Sequence, residues 1–216
     1  MLVRSSDCPC SRLRLSPHPT GQIDYIYSDG PVMGELMVRG ESRMCLFTGS
    51  QAVADKLTID LQGRVKLEDA GFDWKILGPD PASIDYVVWQ SDQDAYAATG
   101  QKCSAQSMLV CHENWMQLDI IGQLRDKAAG RSLEELTIGP VLTWSTEQIL
   151  KHIDDCLALP GAYLAFGGKA LGGHSIPKHY GAVEPTAVFV PIESIMASEE
   201  SFATATKELF GPFQII

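Results

Sequence analysis

MCLFTGSQAVADKLTIDLQGRVKLEDAG (44–71) decides the architecture of this chain. The apolar run through Phe47 reads as a buried strand that runs into a Gly49-Ser50 turn. QAVADKLTIDLQG (51–63) then predicts a helix with Val53, Leu57 and Leu61 on one face. RVKLEDAG (64–71) follows as a second strand. Strand, turn, helix and strand in one short stretch make a βαβ unit, whose crossover helix lets the two strands run parallel.

The same alternation continues in both directions. Upstream, QIDYIYS (22–28) reads as a strand, Asp29-Gly30 as a turn, and VMGELMVRG (32–40) as a helix closed by Gly40. Downstream, WKILG (74–78) is a short strand. SIDYVVWQSDQDAYAAT (83–99) is a helix with Ser83 at its N-cap and Ile84, Val87, Val88, Ser91 and Ala95 inward. SMLVCHE (107–113) is a strand and WMQLDIIGQLRDKA (115–128) one amphipathic helix. Ser145 and Gln148 form a capping box for TEQILKHIDDCLAL (146–159), with Ile149, Leu150 and Ile153 inward and Pro160-Gly161 as the stop. AYLAFGG (162–168) and TAVFVPI (186–192) are late strands. The fold class is therefore α/β with a largely parallel sheet.

Composition narrows the function classes. The chain has 216 residues, 45% hydrophobic, 20% charged and 8% aromatic, enough to bury a real core. No apolar run approaches the roughly 18 residues needed to cross a bilayer, so no membrane partner is expected. A net charge of −10 with no basic stripe argues against nucleic acid. Six cysteines are too sparse for a disulfide framework. Cys8 and Cys10 have no second pair nearby, so no metal is expected and reduced thiols are the default. Residues 1–21 carry Arg4, Arg12 and Arg14 against the single acid Asp7. That pattern resembles a transit segment, although Pro9, Pro17 and Pro19 interrupt any amphipathic helix; a disordered tail is the alternative.

TGQKCSAQS (99–107) holds a cysteine in polar company, where a structural cysteine would have apolar neighbours. A free thiol of pKa about 8.5 needs activation to serve as a nucleophile, and Lys102 is the adjacent charge. The histidines His18, His112, His152, His174 and His179 lie in no context typical of a base, which disfavours a Cys–His hydrolase. Glu68 ends an apolar strand, the FTGS turn (47–50) resembles a phosphate-cradling helix start, and KELFGPF (207–213) reads as a helix end and a Gly-Pro turn. Singly, none of these identifies a function.

In order they do. F-T-G-S, L-E-D-A-G, G-Q-K-C-S-A and K-E-L-F-G-P resemble the aldehyde dehydrogenase superfamily over about residues 22–216. Those enzymes carry an F-T-G-S turn, a Glu in an E-L-G-G element, a G-Q-x-C nucleophile loop and an E-x-F-G-P motif. The stretch Gly100–Ala105 looks like the branch that oxidises L-glutamate γ-semialdehyde, the delta-1-pyrroline-5-carboxylate dehydrogenases of mitochondrial proline breakdown. Two departures stand out: Asp69 and Ala70 replace the usual residues after Glu68, and QAVADK lacks a glycine often found after F-T-G-S.

The resemblance implies an aldehyde dehydrogenase-like α/β fold. Residues 22–68 would be the end of a dinucleotide-binding domain, residues 69–216 most of the catalytic domain, and residues 1–21 unmatched. Cys103 would be the nucleophile and Glu68 the general base. Thr48, Gly49, Ser50, Glu208 and Phe210 would bind NAD, with NADP left open, and Ser104 would contact the substrate carboxylate. The partner would be a small aldehyde, and the address the mitochondrial matrix, or the cytoplasm if residues 1–21 are not a targeting segment. Family members are more than twice as long and homo-oligomerise through a strand not matched here. A second reading is therefore an inactive fragment or pseudoenzyme that acts at most as an interaction module.

Overall fold

A computed structural model describes residues 26–69 and 71–216. The chain divides into two compact units after residue 70. The expectations about residues 1–21 lie outside the described residues. So does most of the predicted strand 22–28, of which Tyr27 forms an isolated bridge position.

The first unit contains α1 (Gly30–Arg39), β1 (Cys45–Gly49), α2 (Gln51–Asp60) and β2 (Val65–Asp69). Asp29 caps α1 by accepting from the Val32 N–H at 2.9 Å, and Gly40 closes it. β1 and β2 pair in parallel across α2, so the βαβ unit is present. Two details differ from expectation. The buried face of α2 is Ala54, Leu57 and Leu61, and Val53 is exposed. An i, i+3, i+7 stripe turns the helix about one residue away from the predicted i, i+4, i+8 one. β1 is not buried either: Cys45 and Phe47 are half-buried while Leu46 and Thr48 are exposed. That alternation belongs to a strand with one covered face.

The second unit runs β3 (Asp73–Leu77), α3 (Ile84–Tyr96), β4 (Gln106–Cys111), α4 (Glu113–Met116), α5 (Ile120–Ala129) and α6 (Thr146–Leu157). It continues with β5 (Tyr163–Phe166), β6 (Thr186–Phe189), α7 (Ile192–Ile195), α8 (Glu199–Ala205) and β7 (Phe213–Ile215). Its five strands lie in the order β3-β4-β7-β6-β5, parallel except for β5, which runs antiparallel to β6. Strand side chains alternate between two cores. Leu109, Ala187 and Ile216 pack with Val88, Tyr96, Ile120 and Leu124 from α3 and α5. Met108, Val188 and Ile215 pack with Ile149, Ile153 and Ala205 from α6 and α8. Each fully buried aliphatic side chain of this kind contributes about 1.5–3 kcal/mol.

The capping box of α6 forms as predicted, with Gln148 N–H donating to Ser145 and the Gln148 side chain accepting from the Ser145 N–H at 2.8 Å. Ser83 occupies the N-cap of α3 but makes no side-chain cap bond, because its backbone is left-handed at φ 49°. The expected helix over 115–128 is two helices. Asp119, at φ 51°, breaks the run and restarts it by accepting from the Gly122 N–H at 3.2 Å. The Gly-Pro turn of KELFGPF leads straight into β7, a strand the sequence pattern did not reveal.

Candidate active site

In the first unit, parallel pairing sets two predicted residues side by side. Thr48 at the end of β1 is the register partner of Glu68 at the end of β2, and Gly49 partners Asp69. Carboxyl ends of parallel strands are where α/β sheets receive ligands. A Cβ on Gly49 would lie 2.5 Å from the tip of the Phe47 ring, so a larger residue there would have to displace that side chain. Ser50 is the N-cap of α2, yet its hydroxyl makes no cap bond; its carbonyl accepts from the Val53 and Ala54 N–H groups at 3.1 and 3.0 Å. Thr48, Ser50 and Glu68 are exposed in this unit.

In the second unit, α3 ends in a 3-10 turn, Ala97–Gly100, in which Ala98, Thr99 and Gly100 are all left-handed, at φ 55°, 60° and 67°. Cys103 and Ser104 follow at the apex of a tight turn closed by the Ala105 N–H donating to the Lys102 carbonyl at 3.0 Å. Both apex side chains are exposed. Lys102 does not lean on the thiol: its ammonium donates to the Gln93 carbonyl at 3.0 Å, near the C-terminus of α3.

Close glycine contacts bring two other segments against this turn. A Cβ on Gly71 would lie 2.7 Å from the Cys103 carbonyl oxygen, so within the second unit the backbone at Gly71 passes close against the Cys103 turn. A Cβ on Gly100 would lie 2.1 Å from the Gly211 carbonyl oxygen, which fixes the K-E-L-F-G-P loop to the other side. The expected polar surroundings are present, but the turn is held firmly rather than free.

On that loop Glu208 and Phe210 are half-buried and Leu209 is buried. Burial, reinforced by the negative charge of Asp73, raises the Glu208 carboxyl above the usual carboxylate range. Asp73 lies against Gly71 and near enough to Glu208 for its charge to act on that carboxyl. Its buried Oδ2 has no hydrogen-bond partner among the described residues and would lie 2.9 Å from a Cβ on Gly71.

The sequence reading missed the segment 139–142, which borders the turn. Thr99 Oγ1 accepts from the Gly139 N–H at 2.8 Å, and Gln101 bonds both Pro140 and Leu142. Val141 exchanges backbone hydrogen bonds with Gly181. No periodicity marks IGPVLT; its one signal is the punctuation of Gly139-Pro140. The described histidines are engaged elsewhere. His112 caps α4, His152 is buried in α6, His174 bonds Leu171 and Ile176, and His179 lies against Tyr180. A Cys–His hydrolase finds no support in that arrangement.

Residues 14–216 match the aldehyde dehydrogenase family, reaching further toward the N-terminus than the resemblance beginning at 22. The chain is 57% identical over 198 residues to delta-1-pyrroline-5-carboxylate dehydrogenase 12A1, mitochondrial, of Arabidopsis thaliana. It is 56% identical over 198 residues to a probable aldehyde dehydrogenase of Linum usitatissimum. In both cases the match covers 92% of this chain and 36% of the relative, so the chain spans little more than a third of their length. Among solved structures, the NAD-dependent aldehyde dehydrogenase from Sinorhizobium meliloti superposes with a TM-score of 0.77 at 23% identity. Betaine aldehyde dehydrogenase from Staphylococcus aureus, in complex with NAD+, does so at 0.74 and 24%. Each covers 95% of this chain, which corresponds to 40% of the solved one, and at such identity the likeness speaks for the fold. By the match over residues 14–216 and the shared fold, the chain belongs to the aldehyde dehydrogenase family.

Proposed function

We propose that the protein oxidises L-glutamate γ-semialdehyde to glutamate in proline breakdown, with NAD as acceptor, in the mitochondrial matrix. The observation that carries this reading is the exposed Cys103 thiol, at the apex of a turn pinned between Gly71 and the Glu208 loop. The 57% identity to a mitochondrial delta-1-pyrroline-5-carboxylate dehydrogenase supports the choice of substrate, pathway and compartment.

The chemistry starts at Cys103. Its thiolate sulfur bonds the aldehyde carbon, and the carbonyl oxygen becomes an oxyanion that the Cys103 backbone N–H stabilises. Bound NAD would supply the hydride acceptor for that carbon. Cys103 then holds the acyl group as a thioester. Glu68 takes a proton from the water that attacks the thioester carbon, the C–S bond breaks, and the thiolate is regenerated. Ser104, next to Cys103 on the turn, donates to the substrate carboxylate.

The donor set suits a dinucleotide. The uncapped first turn of α2, with Thr48, Gly49 and Ser50, fits the pyrophosphate side. Glu208 fits a ribose diol as acceptor, and Phe210 fits the nicotinamide face. NADP as the acceptor is tested by the same assay.

The assay is steady-state reduction of NAD or NADP by L-glutamate γ-semialdehyde, with Cys103→Ser in parallel. Turnover that falls at least ~10³-fold in Cys103→Ser supports the reading. Turnover that survives the substitution overturns it. Faster turnover of a short aliphatic aldehyde would keep the nucleophile and overturn the substrate.

A further inference from the structure

Gln101 lies two residues before Cys103 and uses both ends of its carboxamide on one neighbouring segment. Its Nε2 donates to the Pro140 carbonyl at 2.9 Å, and its Oε1 accepts from the Leu142 N–H at 2.8 Å. Between them, Val141 turns its own N–H and carbonyl the other way, to Gly181, at 2.8 and 2.9 Å. In a parallel ladder, one residue donates to the carbonyl before its partner and accepts from the N–H after it. The Gln101 side chain makes that pair of bonds about Val141, so a carboxamide stands in for the peptide groups of a missing strand.

The segment is anchored at further points. Thr99 Oγ1 accepts from the Gly139 N–H at 2.8 Å. The Val141 side chain lies 3.3 Å from where a Cβ on Gly211 would be. One short strap therefore touches the nucleophile turn on one edge, the 181 segment on the other, and the Glu208 loop through a side chain.

We propose that Gln101 is the positioning residue of the nucleophile turn: its carboxamide completes the 140–142 strap as a surrogate strand, and this fixes where Cys103 is presented. The inference rests on the reading of Cys103 as nucleophile. At neutral pH the amide supplies a donor and an acceptor at this reach without a net charge. A carboxylate offers two acceptors and would face the Pro140 carbonyl, an ammonium offers donors alone, and Asn is one methylene short.

The test uses Gln101→Met, which keeps the volume and removes both bonds, and Gln101→Glu, which keeps the bond from Leu142 and loses the one to Pro140. The reaction of Cys103 with 2,2′-dithiodipyridine is followed from pH 7.5 to 4.5, with each labelled site read by mass spectrometry. Hydrogen exchange of the peptide covering 139–143 is measured alongside.

Gln101→Met should change the Cys103 rate at least fivefold at every pH and speed exchange of the segment at least tenfold. Gln101→Glu should deviate less, and its deviation should shrink toward pH 4.5. As pH nears the ordinary Glu value of about 4.3, a growing share of the introduced side chain is the carboxylic acid, which has a donor and an acceptor like the amide. A merely structural role would lower thermal stability without that pH-dependent recovery. Cys103 rates within twofold of wild type in both folded variants, or a Gln101→Glu deviation that ignores pH, would overturn the inference. Should Gln101→Met not fold, the Gln101→Glu pH response decides alone. Failure of the nucleophile reading looks different: the thiol results stand, and no acylation of Cys103 by substrate occurs in the wild-type protein.

Discussion

Gly100 and Gly211 meet backbone to backbone: a Cβ built on Gly100 would sit 2.1 Å from the Gly211 carbonyl oxygen. This contact couples the turn that carries Cys103 to the loop that carries Glu208. Gly100 is also left-handed, at φ 67°, so Gly100→Ala meets both steric strain and a backbone clash. The expected loss is about 3 kcal/mol, or roughly 6–12 °C in Tm for a protein of this size. Gly211→Ala should cost less, because its Cβ would meet the movable side chains of Leu209 and Val141. Thermal unfolding of the two variants checks the order.

Thiol reactivity separates Cys103 from the half-buried Cys111 and the buried Cys156. Burial pushes the Cys111 thiol up to about 11 and the Cys156 thiol up to about 12, the latter helped by the charge of Asp155. At pH 8 their thiolate fractions are on the order of 10⁻³ and 10⁻⁴, while Cys103 is exposed to reagent. Iodoacetamide should modify Cys103 at least ~10² times faster than either, as read by peptide mass spectrometry.

His152 gives the fold an acid-sensitive element. Burial first, then the positive charge of Lys207, holds its imidazole down at about 4, with Asp155 opposing. The ring lies against Phe213, centroids 5.2 Å apart. An unfolded histidine titrates near 6.5, so between the two values the unfolded chain binds the extra proton. The stabilisation is whole above about pH 6.5, declines as pH falls, and is lost below about 4. The difference is about 3 kcal/mol at most. Denaturant titrations at pH 7.5, 6, 5 and 4.5 should show a shallower acid decline for His152→Gln than for wild type.

A buried ion pair steadies the approach to the 139–142 strap. Arg131 Nη2 donates to Asp92 Oδ2 at 2.5 Å, and both side chains are nearly inaccessible. The same guanidinium donates to the Thr137 carbonyl at 3.2 Å. Arg131→Met strands a buried carboxylate and should destabilise by about 3–5 kcal/mol. The double variant Asp92→Leu, Arg131→Met should recover most of that loss, which a double-mutant cycle in urea measures.

How legible this was in the sequence varied by element. The βαβ unit, α3, α6 and its capping box were readable because their signals are local: side-chain spacing and caps act within a few residues. The break at Asp119 was not, since a left-handed residue leaves no trace in an apolar pattern. β7 was hidden for another reason. FQII (213–216) is too short to show a period, and its place inside the sheet depends on β4 and β6. In the site, motif order picked out Cys103, Glu68 and Glu208 by resemblance, and it named the glycines without their purpose. Gly71 against Cys103, Gly100 against Gly211 and Gln101 against 140–142 are contacts across tens of residues, which only the folded chain creates.

The most direct measurement mixes Glu68→Gln protein with NAD and L-glutamate γ-semialdehyde, quenches the mixture, and weighs the Cys103 peptide. With attack at Cys103 intact and thioester hydrolysis slowed, the account predicts a burst of about one NADH per site and a glutamyl group on Cys103. Folded protein that gives neither burst nor adduct at saturating NAD would contradict it.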